Sequence, residues 1–167
     1  FFEAKSIGLI DVFHSGFYSL KSLDAMGGAV YMKAFDGNIG QVINSQCIFS
    51  GCSAKLDGGA FYAEASKEIG SITFDSVSST GNIAFEGNGG HHAFISGSSD
   101  QALTQELLIS ISEFDNTGMT PVTGGSGGAI YYRTPGNLEL LDVSASAFSG
   151  LKAGGKAGAI CVTAKET

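Results

Sequence analysis

Apolar and polar side chains alternate along five short segments of the chain, and each segment begins with a glycine-rich word. The clearest copies are Gly-Gly-Ala-Val-Tyr at residues 27–31, Gly-Gly-Ala-Phe-Tyr at 58–62 and Gly-Gly-Ala-Ile-Tyr at 127–131. Weaker copies are Gly-Gly-His-His-Ala at 89–93 and Ala-Gly-Ala-Ile-Cys at 157–161. Because successive side chains of a strand point to opposite faces, this alternation predicts strands that are buried on one face.

The five words recur at a nearly constant interval, since 31, 31, 38 and 30 residues separate their first positions. Such a repeat is typical of a β-solenoid, in which each coil buries its apolar face against its neighbours. An antiparallel sandwich also has short strands and glycine turns, but its strands do not repeat one word at a fixed interval. The repeat therefore predicts an all-β, right-handed parallel β-helix of about five coils of roughly 30 residues, without complete caps.

Equivalent positions of successive coils should form columns of side chains. The column expected to face inward is Val30, Phe61, His92, Ile130 and Ile160. Two columns are expected to face outward: Tyr31, Tyr62, Ala93, Tyr131 and Cys161, and then Lys33, Glu64, Ile95, Arg133 and Thr163. In the second of these, Lys33 and Glu64 should be neighbours of opposite charge. One further strand per coil is predicted, over residues 42–49, 72–77, 107–114 and 138–148.

The composition is that of a single packed segment, and the net charge argues against some classes of partner. The chain has 167 residues, of which 43% are hydrophobic and 15% are charged, and its 25 glycines disfavour long helices. A net charge of −7 argues against nucleic acid or an anionic membrane as partner, and no apolar run is long enough to span a bilayer. We interpret residues 1–167 as one β-helix segment that is part of a longer solenoid.

Residues suited to catalysis or metal binding do not form a recognisable site in the sequence. His91 and His92 are adjacent, so on a strand one ring should point inward and the other outward, which disfavours chelation of one ion. Four aspartates fall on the further strands without sharing a column in adjacent coils: Asp11, Asp75, Asp115 and Asp142. We therefore expect no enzyme activity, no metal and no cofactor. Whether Cys47 and Cys52 are bonded stays open.

Two features could carry binding. The outward residues Tyr31, Tyr62 and Tyr131, with Lys33 and Arg133, could contact sugars or a protein, although the tyrosines could equally form a stabilising aromatic ladder. The coil that begins at Gly89 is seven or eight residues longer than its neighbours, and we call residues 89–126 the enlarged coil. Its extra residues should form exposed loops, where the candidate binding residues are Asp100, Gln101 and Gln105. The alternative is a neutral insertion, which is tolerated because lengthening a loop costs little entropy.

The Gly-Gly-Ala-aliphatic-Tyr words, together with Phe-x-x-Asn words at residues 35–38 and 85–88, resemble the passenger repeats of the polymorphic outer-membrane proteins and similar large surface proteins. The resemblance implies a right-handed β-helix that acts in adhesion or surface display. We therefore expect an extracellular or cell-surface scaffold that binds other protein subunits, neighbouring coils or glycans. The alternative is a carbohydrate-active β-helix, either a polysaccharide lyase or hydrolase or a sugar-binding module.

Overall fold

The computed structural model describes residues 1–97, 105–118, 125–136 and 138–164. Over these ranges the chain forms strands, bends and turns but no helix, and so no helix that could cross a membrane. The first strands in chain order are β1 (Phe2–Ala4), β2 (Ile7–Phe13), β3 (Gly16–Tyr18), β4 (Lys21–Ser22), β5 (Val30–Ala34), β6 (Ile39–Ser45), β7 (Ile48–Ser50), β8 (Ser53–Ala54), β9 (Phe61–Ala65) and β10 (Ile69–Asp75).

The remaining strands are β11 (Ser78–Thr80), β12 (Ile83–Ala84), β13 (His92–Ser96), β14 (Glu106–Ser110), β15 (Glu113–Asp115), β16 (Ile130–Arg133), β17 (Leu140–Ser144), β18 (Ala147–Ser149) and β19 (Ile160–Thr163). They stack in four sheets, ordered β1-β5-β9-β13-β16-β19, β2-β6-β10-β14-β17, β3-β7-β11-β15-β18 and β4-β8-β12. Each strand thus pairs with its equivalents one repeat away in the sequence.

Every strand pair described is parallel, and the pairing follows the repeat. Val30 pairs with Phe61, Phe61 with His92, His92 with Ile130, and Ile130 with Ile160. The glycine words are therefore in register from coil to coil, as their spacing predicts. The prediction of an all-β parallel solenoid with about five coils is confirmed.

The core is a set of inward columns, one or more from each of the first three sheets. The predicted column from Val30 to Ile160 is buried or half-buried throughout. The second sheet adds Ile10, Val42, Ile72 and Leu107, whereas the next residue of that column, Leu141, is exposed. The third sheet adds Phe17, Phe49, Ser79, Phe114 and Phe148. Within the third sheet, Phe17 stacks on Phe49 and Phe114 on Phe148, with ring centroids 4.9 and 5.0 Å apart.

The prediction of one further strand per coil was wrong, because a bend divides segments 42–49, 107–114 and 138–148 into two strands, and segment 72–77 ends at the equivalent bend, with β11 following it. The residue at the bend has positive φ in every coil: His14, Gln46, Ser76, Ile111 and Ala145, with φ between 46° and 56°. A left-handed conformation costs an L-residue about 1–2 kcal/mol. Since no glycine occupies these positions, a turn could not be predicted there from residue type.

A column of small side chains closes this bend. Two residues past the last residue of the strand stand Ser15, Cys47, Ser112 and Ser146, each of which donates to the backbone carbonyl two residues earlier at 2.8–3.2 Å. Cys47 therefore occupies a serine-like structural position. Cys47, Cys52 and Cys161 are all buried free thiols.

The strand register locates the extra residues of the enlarged coil. Ala65 and Ser71 are six positions apart, whereas their partners Ser96 and Glu106 are ten apart. The other expansion lies between β15 and β16. Both insertions fall where the spacing predicts them, although most of the inserted residues, including Asp100 and Gln101, lie outside the described part of the chain.

Candidate functional site

The outer face of the six-stranded sheet carries the predicted tyrosines in one column: Tyr31, Tyr62, Ala93, Tyr131 and Cys161. Phe1 stacks on Tyr31 and Tyr31 stacks on Tyr62, with ring centroids 4.7 and 5.5 Å apart. Tyr62 is only 4% exposed. Burial, with the Glu64 carboxylate adding to it, raises the pKa of Tyr62 well above its ordinary value.

This stacking favours a stabilising ladder over sugar binding for Tyr31 and Tyr62. A sugar binds an aromatic ring through the ring face, but the faces between Phe1, Tyr31 and Tyr62 are covered by one another. The three rings therefore form a stabilising ladder. Ala93 interrupts it, so that Tyr131 lies two coils beyond Tyr62 and packs with Ala93 and Ile95 in a small outer apolar cluster.

Beside the tyrosines runs a column with charges at Glu3, Lys33, Glu64 and Arg133, interrupted by Ile95. Lys33 Nζ lies 3.2 Å from Glu64 Oε1, as predicted. The Tyr62 hydroxyl donates to Glu64 Oε2 at 2.9 Å, and the Tyr31 hydroxyl donates to Glu3 Oε1 at 3.4 Å. The structure thus pairs Lys33 within its own column, whereas Arg133 lies two coils away from Glu64 and is exposed.

Arg133 borders an open cleft of about 540 Å³ at the carboxyl ends of β13, β16 and β19. Its guanidinium is a cation in a cleft whose other lining residues are small. Three of those six carry a hydroxyl, and the hydroxyls of Ser96 and Thr134 are already bonded to Ile69 N and Gln105 Oε1. The residues that line the cleft are Ser96, Gly97, Arg133, Thr134, Pro135, Thr163 and Ala164. This arrangement suits an anionic or hydroxyl-rich contact, and it keeps Arg133 as a candidate binding residue.

Gln105 does not lie on an exposed loop, and that expectation was wrong. It is only 2% exposed, and its Oε1 accepts a hydrogen bond from Thr134 Oγ1 at 2.5 Å and one from the Tyr132 hydroxyl at 3.5 Å. The single hydrogen of the Tyr132 hydroxyl is shared with Ile69 O, 3.1 Å from the hydroxyl oxygen. Gln105 therefore joins the end of the enlarged insertion to the next coil, because a buried amide must find polar partners inside.

The second notable place lies inside the solenoid, at the boundary between residues 58–88 and the enlarged coil. Three columns change character there. Ser79 interrupts the phenylalanines of the third sheet, His92 interrupts the aliphatic and aromatic column of the first sheet, and His91 stands where the other words have alanine. Both histidines and Ser79 are fully buried.

These side chains meet at one oxygen. Ser79 Oγ lies 2.8 Å from His91 Nδ1 and 3.0 Å from His92 Nε2, and Asn82 Nδ2 donates to it at 3.0 Å. A hydroxyl has one hydrogen and two lone pairs. Asn82 uses one lone pair, so one ring must accept the Ser79 hydrogen while the other donates to Ser79. We call Ser79, Asn82, His91, His92 and Asn116 the histidine cluster.

Asn82 and Asn116 attach this cluster to the backbone. Asn82 Oδ1 accepts from Cys52 N, and Asn82 Nδ2 donates to Phe49 O, both at 2.8 Å. Asn116 Nδ2 donates to Asn82 O at 3.0 Å. His91 Nε2, His92 Nδ1 and Asn116 Oδ1 are buried without a hydrogen bond to any described residue.

Burial keeps both imidazoles neutral. It lowers the pKa of His91 to about 4, against smaller opposing effects of Asn116 and the Asp115 carboxylate. Burial also lowers the pKa of His92 far below its ordinary value, and the neighbouring His91 contributes in the same direction. Although serine beside histidine can form a nucleophile and its base, a substrate has no surface through which to reach these atoms.

The sequence interpretation of the histidines as one inward and one outward ring was wrong. It assumed a strand at both positions, but β13 begins at His92, and His91 lies in the corner that follows Gly89 at φ +64°. The alanine that normally occupies this position hides the inward direction. A usable signal was the alignment of Phe49-Ser50-Gly51-Cys52 with Ser79-Thr80-Gly81-Asn82, which shows a serine in a phenylalanine column.

The aspartates and cysteines form no site among the described residues. Asp75 accepts hydrogen bonds from Ser76 and Ser110, and Asp115 accepts from Thr117 and Ser149. No two carboxylates share a column in adjacent coils of the described strands. Over the same part of the chain, no group of three or more His, Cys, Asp or Glu side chains is placed to hold a metal ion.

No family model matches this chain, and no curated protein or solved structure does so either.

Proposed function

We propose that this chain is a structural or adhesive β-solenoid scaffold, located outside the cell or at its surface, that binds partners or packs into a larger assembly. The observation that supports this function is that the side chains suited to catalysis are buried or hydrogen-bonded to neighbouring residues. His91, His92 and Ser79 are sealed in the core, the cysteines are buried, and Asp75 and Asp115 accept hydrogen bonds from neighbouring hydroxyls. These groups join one coil to the next.

The surface of such a scaffold is where recognition must occur, because the interior is closed. Among the predicted binding residues that the structure describes, Arg133 is the one that is exposed beside a cleft. The proposed contact surface is therefore the Arg133 cleft at the edge of the enlarged coil. Tyr31 and Tyr62 support it as part of the rigid wall, and Lys33 is engaged with Glu64.

The test combines binding, assembly and turnover on the purified chain. A glycan array and sedimentation over a range of concentrations measure binding and association. Incubation with polyuronates and neutral polysaccharides, with and without calcium, measures turnover. We expect binding or association without bond cleavage. Cleaved product above the blank would replace the scaffold by a carbohydrate-active enzyme, and a chain that neither binds nor associates would also contradict the proposal.

A matched pair of variants assigns any glycan binding to the cleft. Arg133→Gln removes the cation that borders the cleft, and Lys152→Gln makes the same charge change at another exposed position. Loss of a charge-assisted contact should weaken affinity about tenfold, which corresponds to about 1.4 kcal/mol. Equal weakening by both variants would show that only net charge matters and would remove the cleft from the proposal.

A further inference from the structure

The histidine cluster holds two imidazoles at the middle of the solenoid, enclosed by aromatic rings. The His92 ring lies 4.9 Å from Phe74, 5.1 Å from Phe49 and 5.9 Å from Phe114, between ring centroids. The His91 ring lies 6.0 Å from Phe114. These contacts come from β7, β10 and β15, which lie in three successive coils, so the coils on both sides of the boundary depend on the two rings for their packing.

We propose that this boundary is an acid-sensitive joint, at which protonation of His91 and His92 separates residues 1–88 from the enlarged coil and the coils after it. The inference is independent of what the surface binds. It rests on the number of hydrogen-bond donors and acceptors that meet at Ser79 Oγ and on the burial of both rings. Neutral imidazoles satisfy Ser79, whereas imidazolium rings do not.

The donors and acceptors at Ser79 Oγ are balanced only when both rings are neutral. In the neutral cluster this oxygen donates to one ring and accepts from the other ring and from Asn82. Protonation turns the accepting ring into a donor. Three donors then face two lone pairs, and the Ser79 hydrogen loses its acceptor. At least one buried hydrogen bond must break, and the structure can relieve this only by admitting water.

The groups around the cluster offset the cost of a buried proton only in part, because burial outweighs the opposing effects of Asn116 and Asp115 on the pKa of His91. Of the described carboxylates, Asp115 on β15 is the one that acts electrostatically on His91, and it already accepts hydrogen bonds from Thr117 and Ser149. The groups that face the rings from β7, β9, β10 and β16 are Phe49, Phe61, Phe74 and Ile130. The two rings also repel each other when both are charged.

The sign of the pH dependence follows from the lowered pKa values of the two histidines. An unfolded histidine binds a proton near pH 6.5, whereas the folded pKa of His91 is about 4. Stability is therefore complete above about pH 6.5 and decreases as the pH falls toward 4. Linkage with these values makes the unfolding equilibrium constant about thirty-fold larger at pH 5 than at pH 8 from His91 alone, and His92 adds to it.

The experiment uses the whole chain and follows unfolding in urea by circular dichroism at pH 8, 6 and 5. The variant S79F/H91A/H92V restores the residue classes that the other coils have in these columns, and it should lose most of the pH dependence. The control His14→Asn changes an exposed histidine at a bend that asparagine tolerates, and it should keep the full dependence. Equal pH dependence in wild type and triple variant would overturn the proposal.

Two measurements on the unmodified chain decide the question even when the triple variant does not fold. In the NMR spectrum of the folded chain, the ring signals of His91 and His92 should stay at their neutral positions down to pH 5. Titration of both near pH 6.5 in the folded chain would overturn the joint. Hydrogen exchange at pH 5, corrected for intrinsic rates, should show β11 and β13 losing protection before β5 and β6, and the reverse order would also overturn it.

Discussion

Replacing either glycine of a word by alanine should destabilise the fold, but for a different physical reason at each of the two positions. Gly58 has φ +64°, and a Cβ there would overlap the carbonyl of Phe61. Gly59 needs no left-handed conformation, but a Cβ there would stand 2.5–2.6 Å from the backbone of Ile83 and closer still to Gly90 O in the next coil. The first glycine thus permits the corner, and the second permits the close approach of coils.

Two other glycines isolate these effects. Gly118 has φ +81° with no atom within 4 Å of a Cβ, so Gly118→Ala measures the cost of the backbone conformation alone. Gly8 has neither constraint. A left-handed L-residue costs about 1–2 kcal/mol, and overpacking costs about 1–3 kcal/mol, while alanine gains about 0.4–1 kcal/mol by restricting the unfolded chain. We expect losses of about 1 kcal/mol at Gly118, about 1–2 at Gly59 and about 2–4 at Gly58.

Urea unfolding at pH 8, where the histidine cluster is neutral, provides the free energies of unfolding. The four single alanine variants should rank Gly58, Gly59, Gly118 and Gly8 from most to least destabilised, with Gly8→Ala as stable as wild type or more stable by up to about 1 kcal/mol. A midpoint for Gly59→Ala equal to that of Gly8→Ala would refute the reasoning, because it would mean that neighbouring coils can separate at the doublet without cost.

Three further substitutions test particular contacts. Ala157 occupies the first glycine position of the last word with φ +56°, so Ala157→Gly should raise the free energy of unfolding by about 0.5–1 kcal/mol in the same urea assay. Asn44 is buried between Val12 and Phe74 with both amide atoms unpaired, so Asn44→Val should stabilise by about 1–3 kcal/mol, and a lower melting temperature would show that the amide has a partner. Lys33→Met should cost less than about 1 kcal/mol, a loss that disappears in 1 M salt; a salt-independent loss would contradict a half-exposed ion pair.

The repeat was enough to predict the fold because it reports on geometry shared by all coils. The words at Gly27, Gly58 and Gly127 mark the same corner, and the inward column that begins at Val30 follows from alternation alone. The left-handed bend after β6, at Gln46, could not be found in this way. Its conformation is imposed by stacking on equivalent bends, and the residue type there carries no glycine signal.

The candidate sites were harder to predict because they consist of departures from the repeat. Tyr31 and Tyr62 are adjacent as expected, but the sequence could not show that their ring faces are covered by stacking. Gln105 was misplaced because the length of an insertion does not say which of its residues return to the core. That information comes from the strand register on either side of the insertion, which is known only from the strand pairing in the structure.

The histidine cluster shows why such departures must be considered together. Ser79 removes one ring from the phenylalanine column, and His91 and His92 add two rings from the neighbouring sheet into the space beside it. Ser79→Phe alone would place a phenyl group against the His92 ring, which already lies 5.1 Å from Phe49. His92→Val alone would leave Ser79 without its second ring partner and open a cavity. In a close-packed core, the volume lost at Ser79 is filled by the rings of His91 and His92, so the three residues must change together. This is how a polar cluster can be buried in a solenoid whose other coils have apolar residues at these positions.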